Sequence, residues 1–462
     1  MVLQTLSPDE IIKEIPFEKY VPNAAECAEI TKCCKDVFIA QIEKTNDRAE
    51  QIETALRFIK TLWRKYDCEQ VADIYDKFVK MEEALFGLER QEDTGKYYRD
   101  HFVHMFNCFV FGLRIISSVL QQMPTPASKE IFKLDDESLK KAGLPFGTDY
   151  KYDQRLFYLW TLVSTFHDIA IPFQHLAGLG KGISRFVEEF GWVFTDPQIS
   201  MHNFDSSQLY YYFNLIGSLY SGKLKLVEDG RKYQRLKKQP HYLTKLLGRE
   251  FDRRNHGVMS GFFMWKTIEE IFLISRSKKY KFDIDQFDKY SEYVLEQDVA
   301  RAALDISLHA IDKDKKSDED PKIFPIAFTS YPLAFLIILS DELQEYLRWE
   351  GVALKKQLGA FNYHPLLNIK FDKSNNAVCL KVHFSLDSRE QDAIIERVSH
   401  RALFSEDERS ISKIDEAITQ LGNMIKKNLE RKLEIGRYFR MELNIYQDWK
   451  KKCYNEEIVS SI

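Results

Sequence analysis

Along most of the chain, apolar residues recur at intervals of three and four, the period of a helix with one buried face. From about Ala24 to Gln91 the pattern is charged and nearly continuous, as in VADIYDKFVKMEEALFGLERQ. Gly95 interrupts it, and a new helix begins near Tyr97. The same spacing predicts helices over 154–168, 256–274, 295–312 and 331–349. The segment MPTPASKEIFKLDDESLKKAGLPFGTD, with three prolines and two glycines, is a long connection. DKDKKSDED is a solvated loop. After Gly351 the period changes to two. NIKFDKSNNAVCLKVHF alternates apolar and polar residues about an SNN turn, a β-hairpin pattern. Two helical stretches follow, the second from about Ser410 to Glu434, before YFRMELNIY alternates again. The chain is therefore expected to be mainly α, with an N-terminal helical region (1–95), a helical body (96–351) and a small C-terminal α/β domain (352–462).

Composition narrows the class. At 462 residues two or three domains are expected, and 13% aromatic residues argue against disorder. A net charge of −4 is too small to suggest an electrostatic partner for the whole molecule. Only the stretch Lys223–Arg254, with eleven Lys or Arg against four acids, forms a local basic patch. Seven cysteines without a CxxC pair suit a reduced cytoplasmic chain rather than a disulfide framework or a zinc finger. The start, MVLQTLSPDEIIKEI, lacks the apolar core of a secretory signal. Pro332–Leu339, the longest strongly apolar run, is too short to span a bilayer, so no membrane partner is expected. GLGKGISR lacks the phosphate-loop spacing, which argues against ATP-driven work.

The candidate chemistry lies on the apolar faces. STFHDIAIPF ends an apolar helix on His167 and Asp168, and buried charge is costly unless paired or bound to a metal. His104 shares a face with Tyr97, His101, Cys108 and Phe111. His256 opens a helix whose Ser260, Phe263 and Thr267 lie on its side, and His309 continues the stripe of Val299, Ala302, Ala303 and Ile306. Asp341 follows PLAFLIILS on a helix apolar all round. A single inward histidine is most often a hydrogen-bonded core residue. Four imidazoles and two carboxylates on five helices are instead the donors used by Zn, Mn, Fe or Ni.

In its order H…HD…H…H…D the chain resembles the HD-domain superfamily of metal-dependent phosphohydrolases. The matching pieces are VHMFN, STFHDIAIP, NHGVMSG, SLHAID and ILSDELQ, within residues 96–351. The resemblance implies an HD helical bundle and a site for divalent metal ions, two of them, with Mn, Fe, Zn, Ni and Mg all admissible. His104, His167, Asp168 and Asp341 would hold one ion, and His256 and His309 the other, with Asp168 as bridge. Ala170-Ile171-Pro172 replaces the Gly-Tyr-Pro of the cyclic-di-GMP-hydrolysing branch, and His101 and His104 stand three apart where cyclic-nucleotide phosphodiesterases have four. Neither branch's substrate carries over.

The expected activity is hydrolysis of a small-molecule phosphoester, with a nucleotide as the favoured substrate class. Asp168 would bridge, His101 would protonate the leaving oxygen, and Arg253, Arg254 and His175 would bind phosphate. Lys96 and Arg99 are weaker phosphate candidates. Competing readings are an HD-type di-iron oxygenase, a non-catalytic HD scaffold, and a nuclease using the basic stretch on single-stranded nucleic acid. The terminal regions carry no legible chemistry and are assigned to gating, homo-oligomer formation or regulator binding.

Overall fold

The computed structural model describes residues 6–43, 48–66, 69–88, 101–122, 132, 152–174, 206–219, 224–225, 240–276, 292–311, 322–323, 325–345, 365–386, 414–447 and 451–459. Within these the chain is mainly α with a small C-terminal α/β part. The domain boundaries expected at 95/96 and 351/352 lie outside the described residues, as do the proline-rich connection apart from Phe132, the DKDKKSDED loop and the first of the two C-terminal helical stretches.

Helices α1 (Pro8–Lys13), α2 (Phe17–Tyr20), α3 (Ala24–Glu43), α4 (Arg48–Arg64) and α5 (Glu69–Leu88) precede α6 (His101–Gln122). A capping box starts α1: the Ser7 hydroxyl accepts from Glu10 N, and Glu10 accepts from Ser7 N. These helices close over α6 through specific polar contacts as well as apolar packing. Gln41 Nε2 donates to Asn107 Oδ1 at 2.9 Å, and the Tyr20 and Ser117 hydroxyls are 2.8 Å apart. Tyr75 Oη donates to the carbonyl of Thr165 on α7 (Tyr152–Phe166).

α6 is the central helix, buried from His101 through Ser117. It meets α7 closely because Gly112 has no side chain: a Cβ there would stand 2.0 Å from the Trp160 ring. Trp160 Nε1 donates to Phe109 O at 2.8 Å across the contact. α8 (Ser206–Leu219), α9 (Pro240–Asp252), α10 (His256–Arg276), α11 (Glu292–His309) and α12 (Pro332–Glu345) complete the described helices of the body. Arg155 on α7 grips Asp298 on α11 with two bonds of 2.7 Å, both side chains buried. The two-residue strands β1 (Leu224–Lys225) and β2 (Lys322–Ile323) pair antiparallel.

The sheet has the order β4-β5-β7-β8, from β4 (Leu366–Asp372), β5 (Ala377–Leu386), β7 (Phe439–Gln447) and β8 (Lys451–Ile458). β4 and β5 form the hairpin expected around SNN. Asp372 Oδ1 accepts from the backbones of Ser374 and Asn375, and Asn376 takes φ 51°, which asparagine tolerates better than most residues. β5 and β7 are parallel, so α13 (Ile414–Lys432) lies in their crossover, and the short β6 (Leu433–Glu434) pairs with β3 (Ile326–Ala327). Alternation buries Val378, Leu380, Val382 and Phe384 beside Phe439, Met441, Leu443 and Ile445. Phe439 packs on Phe328 and Phe335, so the sheet's core is continuous with that of the helices.

Besides the short run Pro332–Leu339, two described helices, His101–Gln122 and Tyr152–Gln174, are by length and composition apolar enough to cross a bilayer. Their best windows are 89% buried within the fold, which makes both of them core helices.

Candidate metal centre

Five helices deliver the donors, and their ends do most of the positioning. α7 stops at Phe166, where backbone bonds tighten to i→i+3 spacing: Ile169 N donates to Phe166 O and Ile171 N to Asp168 O. In that turn His167 Nδ1 donates to Ser164 O at 2.9 Å. α11 repeats the device, because its last residue, His309, donates from Nδ1 to Ile306 O at 2.5 Å. In both cases a carbonyl in the helix's last turn accepts the Nδ1 proton, which fixes the tautomer and leaves Nε2 as the free lone pair.

His256 stands at the opposite end of its helix. Asn255 caps α10 by accepting from Val258 N at 3.1 Å, and its Nδ2 donates to Ala310 O at 2.9 Å. One side chain thus ties the start of α10 to the end of α11. His256 Nδ1 donates to Gln174 Oε1 at 2.7 Å. Gly257 makes room for His309: a Cβ there would stand 3.0 Å from its ring and 2.6 Å from Ala310 Cβ. Ser260 Oγ accepts from Ala170 N at 3.0 Å and so joins α10 to the turn that carries His167 and Asp168.

All six donor residues meet around Asp168. Its Oδ2 lies 3.4 Å from His167 Nε2 and 3.6 Å from His104 Nε2. Its Oδ1 lies 3.7 Å from His309 Nε2 and 3.8 Å from His256 Nε2. Asp341 Oδ1 adds a fourth donor to the first group, 3.0 Å from His104 Nε2, while the two imidazoles there are 3.4 Å apart. The donors form two sets, His104–His167–Asp168–Asp341 and Asp168–His256–His309, that share one carboxylate.

The donor set fits metal ions. With metal–ligand bonds of about 2.1 Å, a tetrahedral edge is roughly 3.4 Å, inside the observed spread. His309 Nε2 is buried and has no hydrogen-bond partner, a costly state that a cation would relieve. Burial lowers the His167 pKa to about 4 and lowers that of His256 as well, so both present neutral nitrogens. Burial pushes the Asp168 carboxyl up, but the surrounding imidazoles, His167 foremost, outweigh it and hold the group well below the carboxylate range. Asp341 is held low against burial by His104. Two carboxylates beside the neutral His167 and His256 leave negative charge for cations to compensate. His256 and Asp341 keep side-chain exposures of 25% and 22%, whereas His104, His167, Asp168 and His309 are sealed, so the site opens between those two.

The other expected residues stand elsewhere. His101 is fully buried with its ring edge toward Phe78, and it belongs to neither donor set. Arg253 is exposed and engaged by Glu250 Oε1 at 2.9 Å. Arg254 takes φ 58° in the turn between α9 and α10, two residues before His256. Among the described residues its guanidinium makes no hydrogen bond or ion pair. His175, Lys96, Arg99 and most of the basic stretch before Pro240 lie outside the described residues. The pattern of inward histidines did not reveal Asn255, Gln174 or Gly257, and it placed Ser260 on His256's side of the helix without a role. Only Asn255 carried a readable signal, an N-cap residue directly before a helical run.

The buried His/Asp cluster is compatible with an HD-like metal site. No protein-family model, no curated protein and no solved structure matches the chain, so the site rests on its own geometry.

Proposed function

We propose that the protein is a metal-dependent phosphohydrolase of the HD type, cleaving a small-molecule phosphoester, with nucleotides as the favoured class. One observation carries this reading: each oxygen of Asp168 faces a different pair of imidazoles. A carboxylate so placed is suited to hold two cations side by side. Divalent ions in such a pair supply Lewis acidity and an activated water. The chain's own residues set up that chemistry. Ser164, Ile306 and Gln174 hold three imidazoles with their Nε2 atoms inward. The buried walls around His104 and His309 exclude bulk water, which strengthens electrostatic interactions inside. Arg254, two residues before His256, is our candidate anchor for the substrate's phosphate. The reducing cytoplasm is the compartment that the cysteine pattern favours.

The test is metal analysis of the purified protein, followed by phosphate release from nucleotides, cyclic nucleotides and dinucleotides. Asp168→Asn keeps the shape but removes the shared charge, so bound metal and hydrolysis should fall together. Wild-type phosphate release from Asp168→Asn would refute the proposal. Iron content with oxygen-dependent turnover would favour an oxygenase instead.

A further inference from the structure

Three of the imidazoles are held from outside the donor set, by Ser164 O, Ile306 O and Gln174 Oε1. Asp341 is held differently: among the described residues its hydrogen bond goes to His104, itself a donor. Its place therefore depends on how α12 is set. Ser340 adds nothing across helices, because its hydroxyl donates to Leu336 O on α12 itself. Next to Asp341 stands Glu342, a buried carboxylate gripped on both oxygens by α13. Lys432 Nζ donates to its Oε1 in an ion pair, and Asn428 Nδ2 donates to its Oε2 at 3.2 Å. Successive residues on a helix project about 100° apart, so a carboxylate pinned on one side of α12 fixes the side that carries Asp341. The same segment also sets the start of α12. Directly after Lys432, β6 pairs with β3, Leu433 beside Ile326 and Glu434 beside Ala327. Ala327 O in turn accepts from Ser330 N and Tyr331 N in the turn that opens α12. Lys432 also feels Asp341 through space: burial works against its ammonium, but Glu342 and then Asp341 outweigh it and raise its pKa.

We propose that Lys432 is a positioning residue of the metal centre, through which the C-terminal α/β part holds Asp341 in place for the first cation. This inference rests on the metal-centre reading above and gives that part of the chain a role in it. Lys432 touches no donor; it acts on Asp341 by way of Glu342 and the backbone of α12. Without the ammonium, Glu342 is a buried carboxylate lacking its counter-charge, a state that drives it toward solvent or toward the nearest cation. Either movement turns α12 and carries Asp341 away from His104. The sign of the effect separates positioning from simple electrostatics. Deleting a positive charge near a cation site tightens cation binding by Coulomb's law alone, whereas a misplaced ligand weakens it.

The experiment is isothermal titration of the full-length, chelator-treated protein with Mn²⁺, Zn²⁺ and Co²⁺, carrying forward the ion that the wild type binds most tightly. Lys432→Met should weaken that ion's binding about tenfold or more, the usual effect of losing a residue that orients a ligand. Lys432→Arg, which keeps the charge and the donors, should stay within about threefold of the wild type. Lys426→Met is the control: it breaks the 2.9 Å pair with Glu456 on the same helix, away from α12, and should leave affinity within about twofold. Unchanged or tighter binding in Lys432→Met, or an equal fall in Lys426→Met, overturns the positioning role alone. Absence of binding of all three ions to the wild type overturns the metal-centre reading together with it. Should Lys432→Met fail to fold, the double variant Lys432→Met/Glu342→Leu replaces the pair with apolar neighbours and carries the comparison, with the same tenfold fall expected and unchanged affinity again overturning the role.

Discussion

Asp305 lies on α11 one turn before His309, fully buried, with no hydrogen-bond partner for either carboxyl oxygen. Burial pushes its pKa from 3.8 to about 7, against smaller opposing pulls from Arg301 and from the backbone N–H of Ala334, which lies beyond ordinary hydrogen-bond geometry. A carboxyl raised in the folded state contributes stability that is complete below the unfolded pKa and is lost as pH rises through the folded one. For Asp305 the loss runs from about pH 4 to about pH 7 and is constant above that. The full difference corresponds to at most roughly 4 kcal/mol, at 1.36 kcal/mol per pH unit. Asp305→Asn removes the titration while keeping the shape. Its absolute stability includes the cost of a buried amide, but that cost is the same at every pH and cancels in the comparison. Denaturant unfolding of both proteins at about pH 5 and about pH 8 should show the variant gaining about 2–3 kcal/mol on the wild type at the higher pH. Parallel stabilities at the two pH values would show that Asp305 is solvated or paired in the native state, and the burial argument would fail.

Two further outcomes follow from the polar contacts that hold the donors' helices. Asp298→Ala leaves the buried Arg155 guanidinium without its two 2.7 Å bonds and should cost about 3–5 kcal/mol in denaturant unfolding; a loss below about 1 kcal/mol would show that water replaces the carboxylate. Asn255→Ala removes both the cap of α10 and the bond to Ala310 O, so stability should drop by about 1 kcal/mol and metal affinity roughly 10–100-fold by isothermal titration, whereas unchanged affinity would mean that His256 and His309 are held without it.

The helical period made the body of this chain legible because the donors ride on long apolar stripes. His104, His309 and Asp341 each continue a run of buried residues, and such a run fixes which side of the helix faces inward. Depth along the stripe is another matter. His101 and His104 share one face of α6, yet one ring turns toward Phe78 and the other toward Asp168, a difference set by neighbouring helices. α9 stood only as part of the basic stretch, although Leu243, Leu246 and Leu247 repeat at helical spacing and are buried. β8, KKCYNEEI, escaped because a solvent-facing edge strand buries only Tyr454 and Ile458, too few positions to show alternation, and a register shift at Ile445/Tyr446 interrupts its pairing.

The sharing of Asp168 was beyond any periodicity. It depends on the exact residue at which α7 gives up its i→i+4 bonds, because one more helical residue would rotate the carboxylate by about 100° away from His256 and His309. The ladder is diverted at several points there: Thr165 O accepts from Tyr75 Oη, Ile169 N takes Phe166 O, Ala170 N donates to Ser260 Oγ, and Pro172 has no N–H to offer Asp168 O. His167 then claims Ser164 O with its ring. The dipeptide in STFHDIAIPF therefore stands in a tightened turn between the apolar helix and the helical residues 171–174. The bond to Ser164 O and the buried carboxylate at the centre are what give the cluster its two sides.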